Sequence, residues 1–265
     1  MNIDQIATTY DPARERAWHL SVWLSPEVNA WCVHDALNGQ CVALQAGKGA
    51  ELPQPSLLPE RPASVSFTAL PEISTLVPES ALSPGSEMRH LKMVHGQLPT
   101  GLLRDEPISS LGARCVYLHD EEAEHRLMAR FPSARSLPLQ AVLVNGVLAR
   151  STKKKAVLLH RSATRLDLAI AHDQRLLLSN TFHAANAEDV LYYTLFALEQ
   201  TGLKPDDTHT FVSGTHLTDP DEKLLARYLP NVLPALMPTD KLVSMLGGSA
   251  FHHSTPLLEQ YSCAS

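Results

Sequence analysis

Ala156-Val157-Leu158-Leu159-His160 opens the stretch that decides the fold. Leu166-Asp167-Leu168-Ala169-Ile170-Ala171 and Leu176-Leu177-Leu178-Ser179-Asn180-Thr181-Phe182 continue it. The first run is apolar and of strand length. In the second, Leu166, Leu168 and Ile170 alternate, which places them on one face of a pleated strand. Arg161-Ser162-Ala163-Thr164 is a polar break between the first two runs. His172-Asp173-Gln174-Arg175 turns the chain so that the third run returns beside the second.

Working outward, Asn186 is a good N-cap, and Glu188 and Asp189 put negative charge in the first turn, where the helix dipole favours it. Val190 to Leu198 is apolar except for Thr194, so this helix is covered on most sides, with Leu191, Leu195 and Leu198 expected against the sheet. Gly202 fits the residue after the C-cap, and Pro205 forbids continuation. Thr208 to Val212 favours a strand, and Ser213-Gly214-Thr215 is a tight exit from it. Asp219 then caps a second helix, Pro220 suits its first position, and Asp221 and Glu222 occupy its first turn. Leu224, Leu225, Tyr228 and Leu229 form its buried stripe and Pro230 ends it. From about Lys155 to Ala235 the order is three strands, helix, strand, helix, strand. That is the order of a ribonuclease-H-like half-domain. The first three strands should form an antiparallel meander, which the strand near Thr210 joins in parallel through the helix from Asn186.

The first half repeats the opening. Trp18 to Leu24, Asn29 to Asp35 and Gln40 to Ala46 read as three strands. Asn38-Gly39 predicts a type I′ hairpin, because that turn needs positive φ at both positions. Pairing outward from it sets Val33 opposite Leu44 and Asp35 opposite Val42. Val65 to Phe67, Glu72 to Val77 and Ala113 to Leu118 are further strands, followed by a helix from about Asp120 to Arg130. Two halves with the same opening suggest an internal duplication, with lobes at 1–150 and 151–265. The polar run Ser151-Thr152-Lys153-Lys154-Lys155 forms the boundary. A length of 265 residues suits two lobes of about 100–150 each. Lys48 to Pro62, with four prolines, reads as a surface loop of the first lobe.

Composition limits the partners. A hydrophobic content of 44% and a charged content of 19% describe a globular chain. A net charge of −6 argues against nucleic-acid binding, which needs a basic surface, and the three adjacent lysines read as a solvated loop. No apolar run is long enough to span a bilayer, and Met1 to Arg16 is too polar for a signal peptide, so no membrane insertion and a cytoplasmic location are expected. Cys32, Cys41, Cys115 and Cys263 show no paired spacing. In the hairpin register above, Cys32 and Cys41 lie about 13 Å apart along the strands, too far for a disulfide. Four reduced thiols agree with the cytoplasm.

Candidate chemistry is sparse. In His119-Asp120-Glu121-Glu122-Ala123-Glu124-His125, Glu121 and His125 lie one turn apart. A single turn supplies only two ligands where zinc needs three or four, so a capped helix is the better reading. His252-His253 is a similar lure, and the other histidines are scattered. No HExxH pair, GxSxG elbow or GxxxxGK[ST] loop occurs, and Gly47-Lys48-Gly49 is only a fragment of the last. No catalytic residue and no metal ligand is assigned.

Several short motifs carry a resemblance. They are Ser74-Thr75-Leu76-Val77-Pro78-Glu79-Ser80-Ala81-Leu82, Leu127-Met128-Ala129-Arg130-Phe131-Pro132, Asn180-Thr181-Phe182, Glu188-Asp189-Val190-Leu191-Tyr192-Tyr193 and Val212-Ser213-Gly214. On these, most of the chain resembles a bacterial domain-of-unknown-function family with the actin-like ATPase (ASKHA) fold. It is similar, more distantly, to the actin-like proteins of type IV pilus assembly. The resemblance implies an α/β chain of two ribonuclease-H-like lobes with a cleft between them, and no particular activity.

Actin-like ATPases hold phosphate with two hairpins rich in Asp and Gly, one in each lobe. Small residues let backbone N–H groups reach the phosphates, and Asp positions metal or water. Here the first hairpin is Leu24-Ser25-Pro26-Glu27-Val28, with no glycine and a proline that lacks its N–H. The second is Arg161-Ser162-Ala163-Thr164-Arg165, with no glycine or aspartate. Arg161, Ser162, Thr164 and Arg165 remain as anion-binding candidates. Ser213, Gly214 and Thr215 keep the outline of the adenosine-side loop, although Gly214 also suits a plain turn. The expectation is a non-catalytic scaffold that binds an unknown protein partner, with no cofactor beyond weak ATP binding. The alternative is an ATPase or kinase with unorthodox phosphate hairpins.

Overall fold

The computed structural model describes residues 3–49, 51–235 and 254–264. They form two compact units, 3–142 with the C-terminal segment from Pro256, and 143–235 with 254–255. The first unit contains β1 (Ile3–Ile6), β2 (Trp18–Leu24), β3 (Asn29–Asp35), β4 (Cys41–Gly47), β5 (Ser64–Ala69), β6 (Glu72–Pro78), α1 (Glu87–His95), β7 (Leu102–Ile108), β8 (Ala113–His119), α2 (Glu121–Arg130) and β9 (Arg135–Ser136). The boundary falls within α3 (Leu139–Arg150). The second unit contains β10 (Lys155–Arg161), β11 (Arg165–His172), β12 (Arg175–His183), α4 (Ala187–Gln200), β13 (Thr208–Ser213), α5 (Asp219–Tyr228) and β14 (Val232–Pro234). Helix α6 (Thr255–Ala264) follows.

The sheet of the second unit runs β12-β11-β10-β13-β14. Its first three strands are an antiparallel meander, and β13 joins β10 in parallel, as the sequence predicts. Leu166, Leu168 and Ile170 face one core with Val157, Leu159 and the helices. Asn186 caps α4 by accepting from the Asp189 N–H at 2.8 Å. The helix closes in a Schellman motif, Leu203 N–H to Leu198 C=O and Gly202 N–H to Glu199 C=O, with Gly202 at φ 68°. Its buried stripe is Val190, Thr194, Ala197 and Leu198; Leu191 and Leu195 are only partly buried. The polar Thr194 is accepted in the core because its hydroxyl donates to the Val190 carbonyl at 2.7 Å. In α5 the cap is Thr218, not Asp219, and Asp221 completes a capping box with it. Leu225 and Leu229 are buried, whereas Tyr228 is exposed.

The large sheet of the first unit runs β1-β4-β3-β2-β5-β9. Without the edge strand β1, it repeats the order and directions of the other sheet. Among its described residues the connection from β4 to β5 carries no α-helix. In its place a proline-rich segment with one 3₁₀ turn, Pro55–Leu57, lays Leu52, Leu57 and Leu58 on the core of Trp18, Trp31, Phe67 and Leu127. Trp31 Nε1 holds this segment through the Pro53 carbonyl at 2.7 Å. Between β5 and α2 the chain inserts a small sheet, β6-β8-β7, packed on α1 through Leu91.

The β3–β4 hairpin departs from the predicted register. Cys32 pairs with Leu44, Val33 with Ala43 and His34 with Cys41, with a bulge after Val33. Only Gly39 of the Asn-Gly pair has positive φ, 70°, and its N–H reaches back to the Asp35 carbonyl, closing a wider loop than a type I′ turn. Gly39 lies so close to Tyr261 that a Cβ would sit 2.8 Å from the ring. None of the four cysteines is in a disulfide, and Cys32, Cys41 and Cys115 are buried.

The opposite face of this sheet is polar. His19 bonds Ser64 Oγ at 2.7 Å and the hydroxyls of Ser21 and Ser66 at 3.1 Å. From α6, Gln260 donates to the Val22 carbonyl and accepts from Ser66 Oγ, while Tyr261 stacks on His34 with ring centroids 5.0 Å apart. Burial lowers the pKa of His19 to about 4 and that of His34 to about 3, because a charged imidazole there would lose its water.

Candidate functional site

The second hairpin joins β10 to β11. Its turn is closed by the Ser162 N–H donating to the Arg165 carbonyl at 2.9 Å. Arg161, the last residue of β10, is buried and pairs with Asp221, the third residue of α5, which is fully buried. The other oxygen of Asp221 accepts from the Thr218 N–H at 2.7 Å and its hydroxyl at 2.6 Å. Burial lowers the pKa of Arg161, and the charge of Asp189 acts in the opposite direction. Arg165 is also committed: it bonds both oxygens of Asp167 at 2.8 Å, and Asp167 further accepts from Thr181 Oγ1 at 2.6 Å. Both cations of the hairpin therefore already hold carboxylates of their own unit.

Gly214 follows β13 and passes against the backbone of Arg161. A Cβ on it would lie 2.1 Å from the Arg161 carbonyl oxygen, and its φ is +137°. The glycine is needed for this strand-end contact. His216 N–H then donates to the same carbonyl at 3.2 Å. Ser213 Oγ donates inward to the Leu159 carbonyl at 3.0 Å, and Thr215 Oγ1 lies 3.2 Å from His216 Nδ1. Thr164 is exposed, and its carbonyl accepts from the Ala184 N–H. The structure thus brings Arg161 and Gly214 together, keeps Ser213 within the sheet, and leaves Thr164 at the surface. Ser162 Oγ is enclosed and has no hydrogen-bond partner among the described residues.

The first hairpin is closed by its own side chains. The Ser25 N–H donates to Asn29 Oδ1 at 3.0 Å, the Val28 N–H to Ser25 Oγ at 3.0 Å, and Ser25 Oγ to the Val28 carbonyl at 2.7 Å. With Pro26 lacking an N–H, only the Glu27 amide of the turn has no such partner. A phosphate cradle needs several amides pointing outward together.

A family model described as "Protein of unknown function (DUF3822)" matches residues 64–232. The chain belongs to the DUF3822 family. Among curated proteins none matches it in sequence. A solved structure from Bacteroides thetaiotaomicron, described as a protein with an actin-like ATPase fold and unknown function, is 16% identical. Its alignment covers 94% of this chain and 98% of that one, with a TM-score of 0.75. A PilM-PilN type IV pilus biogenesis complex matches at 13% identity, 92% and 98% coverage and a TM-score of 0.48. The activator of 2-hydroxyisocaproyl-CoA dehydratase from Clostridium difficile, solved with ADPNP, matches at 6% identity, 93% and 96% coverage and a TM-score of 0.45. The DUF3822 chain has the actin-like ATPase fold.

In this DUF3822 protein the acidic partner Asp221 is the site residue hardest to find from sequence. Asp221 reads as first-turn charge on a helix, and the available signal is an arginine at a strand end together with an acid at the third helical position. The stretch His119 to His125 gathers no metal site. His125 and Glu121 are exposed and 3.9 Å apart, while His119 is buried and bonded to Glu124 at 2.7 Å. Burial lowers the pKa of His119, opposed by the Glu124 carboxylate. Among the described residues no three His, Cys, Asp or Glu side chains form a metal cluster, and His252-His253 lies outside those residues. Among the described residues no helix is long and apolar enough to cross a membrane.

Proposed function

We propose that this protein is a non-catalytic member of the actin-like fold, a cytoplasmic scaffold that acts by binding another protein. The observation that carries the reading is the buried Arg161–Asp221 pair: the guanidinium best placed to receive a phosphate is neutralised from within. Catalysis of phosphoryl transfer consists mostly of positioning and preorganised electrostatic stabilisation, and neither hairpin offers it. Three buried thiols without disulfides suit a reducing compartment. The test is phosphate release from Mg-ATP by purified protein and by Thr164→Ala, an exposed substitution that leaves the fold intact. Turnover at background is expected. Robust turnover that Thr164→Ala abolishes overturns the reading.

One observation favours the alternative, a nucleotide-binding ATPase or kinase with unorthodox hairpins. Among the described residues the enclosed Ser162 hydroxyl lacks a partner, and a phosphate oxygen would supply one. On that reading Mg-ATP raises the melting temperature saturably and Ser162→Ala removes the effect.

A further inference from the structure

The first unit contains a cavity of ≈370 Å³ between the proline-rich β4–β5 connection and α2. Its floor is apolar: Leu24 at the end of β2, Leu70 just beyond β5, and Ala123 and Leu127 from α2, with Leu52 as a side wall. The cavity lies beyond the carboxyl ends of two adjacent parallel strands, the place where open α/β sheets hold ligands. Its volume is at the small end of the range for ligand pockets, about 300–1,000 Å³.

At the corresponding place in the second unit stands the Arg161–Asp221 ion pair. Leu24 ends β2 as Arg161 ends β10, and Ala123 is the third residue of α2 as Asp221 is of α5. Where one unit sets an ion pair, the other has a leucine and an alanine.

The mouth of the cavity carries both signs of charge. Glu51 comes from the connection, Asp120 from the cap of α2, and Arg126 and Arg130 from successive turns of α2. Asp120 uses one oxygen, Oδ1, for both of its cap hydrogen bonds. Arg126 has only a 3.8 Å exposed contact with Glu122, which screening leaves almost worthless. Arg130 donates to the Pro55 carbonyl at 3.1 Å and so holds the connection against α2. A purely anionic ligand would meet Glu51 and Asp120, and a purely cationic one would meet the two arginines. A molecule with both charges and an apolar body satisfies floor and mouth together.

We propose that this cavity binds a small zwitterion with an apolar side chain, an α-amino acid of the leucine or phenylalanine class. The carboxylate pairs with Arg126, the ammonium with the acidic side of the mouth, and the side chain covers Leu24, Leu70 and Leu127. The site lies within the first unit, borders Leu24, Ser25 and Pro26 of the first hairpin and uses none of the residues of the second.

The experiment is thermal shift and calorimetric titration of the full chain with L-leucine and L-phenylalanine. The single-charge analogues 4-methylpentanoate and 3-methylbutylamine run in parallel. At least one amino acid should raise the melting temperature saturably, and the analogues should not. Arg126→Ala, an exposed change that folds normally, should weaken binding about tenfold, the factor one charge-assisted hydrogen bond carries. Ala123→Phe, which fills the floor, should abolish it. The proposal fails if neither amino acid gives a saturable shift, if the single-charge analogues bind as well, or if Arg126→Ala binds at wild-type strength.

Discussion

The end of β2 and the end of β10 occupy the same place in two copies of one sheet, and they are finished in opposite ways. In the second unit Arg161 meets Asp221, Gly214 lies against the Arg161 backbone, and α4 covers the neighbouring strands. In the first unit Leu24 and Ala123 face a cavity, and a proline-rich connection stands where the other unit has α4. A helix fills the groove between crossovers, whereas a loop with few apolar side chains covers it only in part. The strand order is thus common to both units, and what differs is the local means of covering the strand ends. One place holds an ion pair of its own unit and the other borders a cavity.

The largest effect that tests this contrast is the loss of one ion. Asp221→Ala leaves Arg161 buried without its carboxylate and should cost about 3–5 kcal/mol in urea unfolding. Replacing both members, Arg161→Met with Asp221→Leu, makes the second unit resemble the first and should be neutral or stabilising. A single variant as stable as wild type would mean that the pair does not close the site.

Leu198→Ala should cost about 2–5 kcal/mol, because the side chain is buried between α4 and the sheet. Leu195→Ala, from a partly buried position, should cost clearly less. Equal costs would show that the covering face of α4 is not the one described.

The polar face beneath α6 makes the first unit sensitive to acid. His19 and His34 have folded pKa values of about 4 and about 3, below the unfolded value near 6.5, so the unfolded chain binds more protons at mild acidity. Their stabilisation is complete above pH 6.5 and is lost progressively as pH falls from there toward 4. Between pH 7 and pH 5 the loss should be about 2 kcal/mol per histidine. In the second unit the strand residues facing the corresponding way are Ala156, Leu158 and His160 of β10 and Asp167, Ala169 and Ala171 of β11. Urea unfolding at the two pH values, repeated with His34→Gln, should show a smaller pH dependence in the variant. An unchanged dependence would remove His34 from the account.

The smallest effect belongs to Arg126→Ala at the mouth of the cavity. Its ion pair is exposed, and stability should change by no more than about 0.5 kcal/mol.

Much of this architecture is legible in the residues because local and long-range signals agree. The alternation of Leu166, Leu168 and Ile170, the Asn186 cap and the Gly202 stop each specify an element that the β10–β14 sheet then uses. The elements that escape such a reading are those whose signals are weak or depend on tertiary contacts. Strand β9 is two residues long, β7 contains Pro107, and α3 is apolar on nearly all sides, so its period is hidden. The β3–β4 register slips because Gly39 is fixed by Tyr261 from a distant helix, which no local turn rule includes. The candidate site is legible only as a set of missing residues. That Arg161 and Arg165 are spent on Asp221 and Asp167 depends on contacts across 60 and 2 positions, and only the second is visible in sequence.

The most direct test of the central claim, that the phosphate hairpins are closed by their own side chains, is the melting temperature of the intact chain with and without millimolar Mg-ATP. A ligand bound by the native state alone must raise it. No saturable rise is expected in the wild type. A saturable rise that Ser162→Ala abolishes would contradict that claim and would place nucleotide at the β10–β11 hairpin.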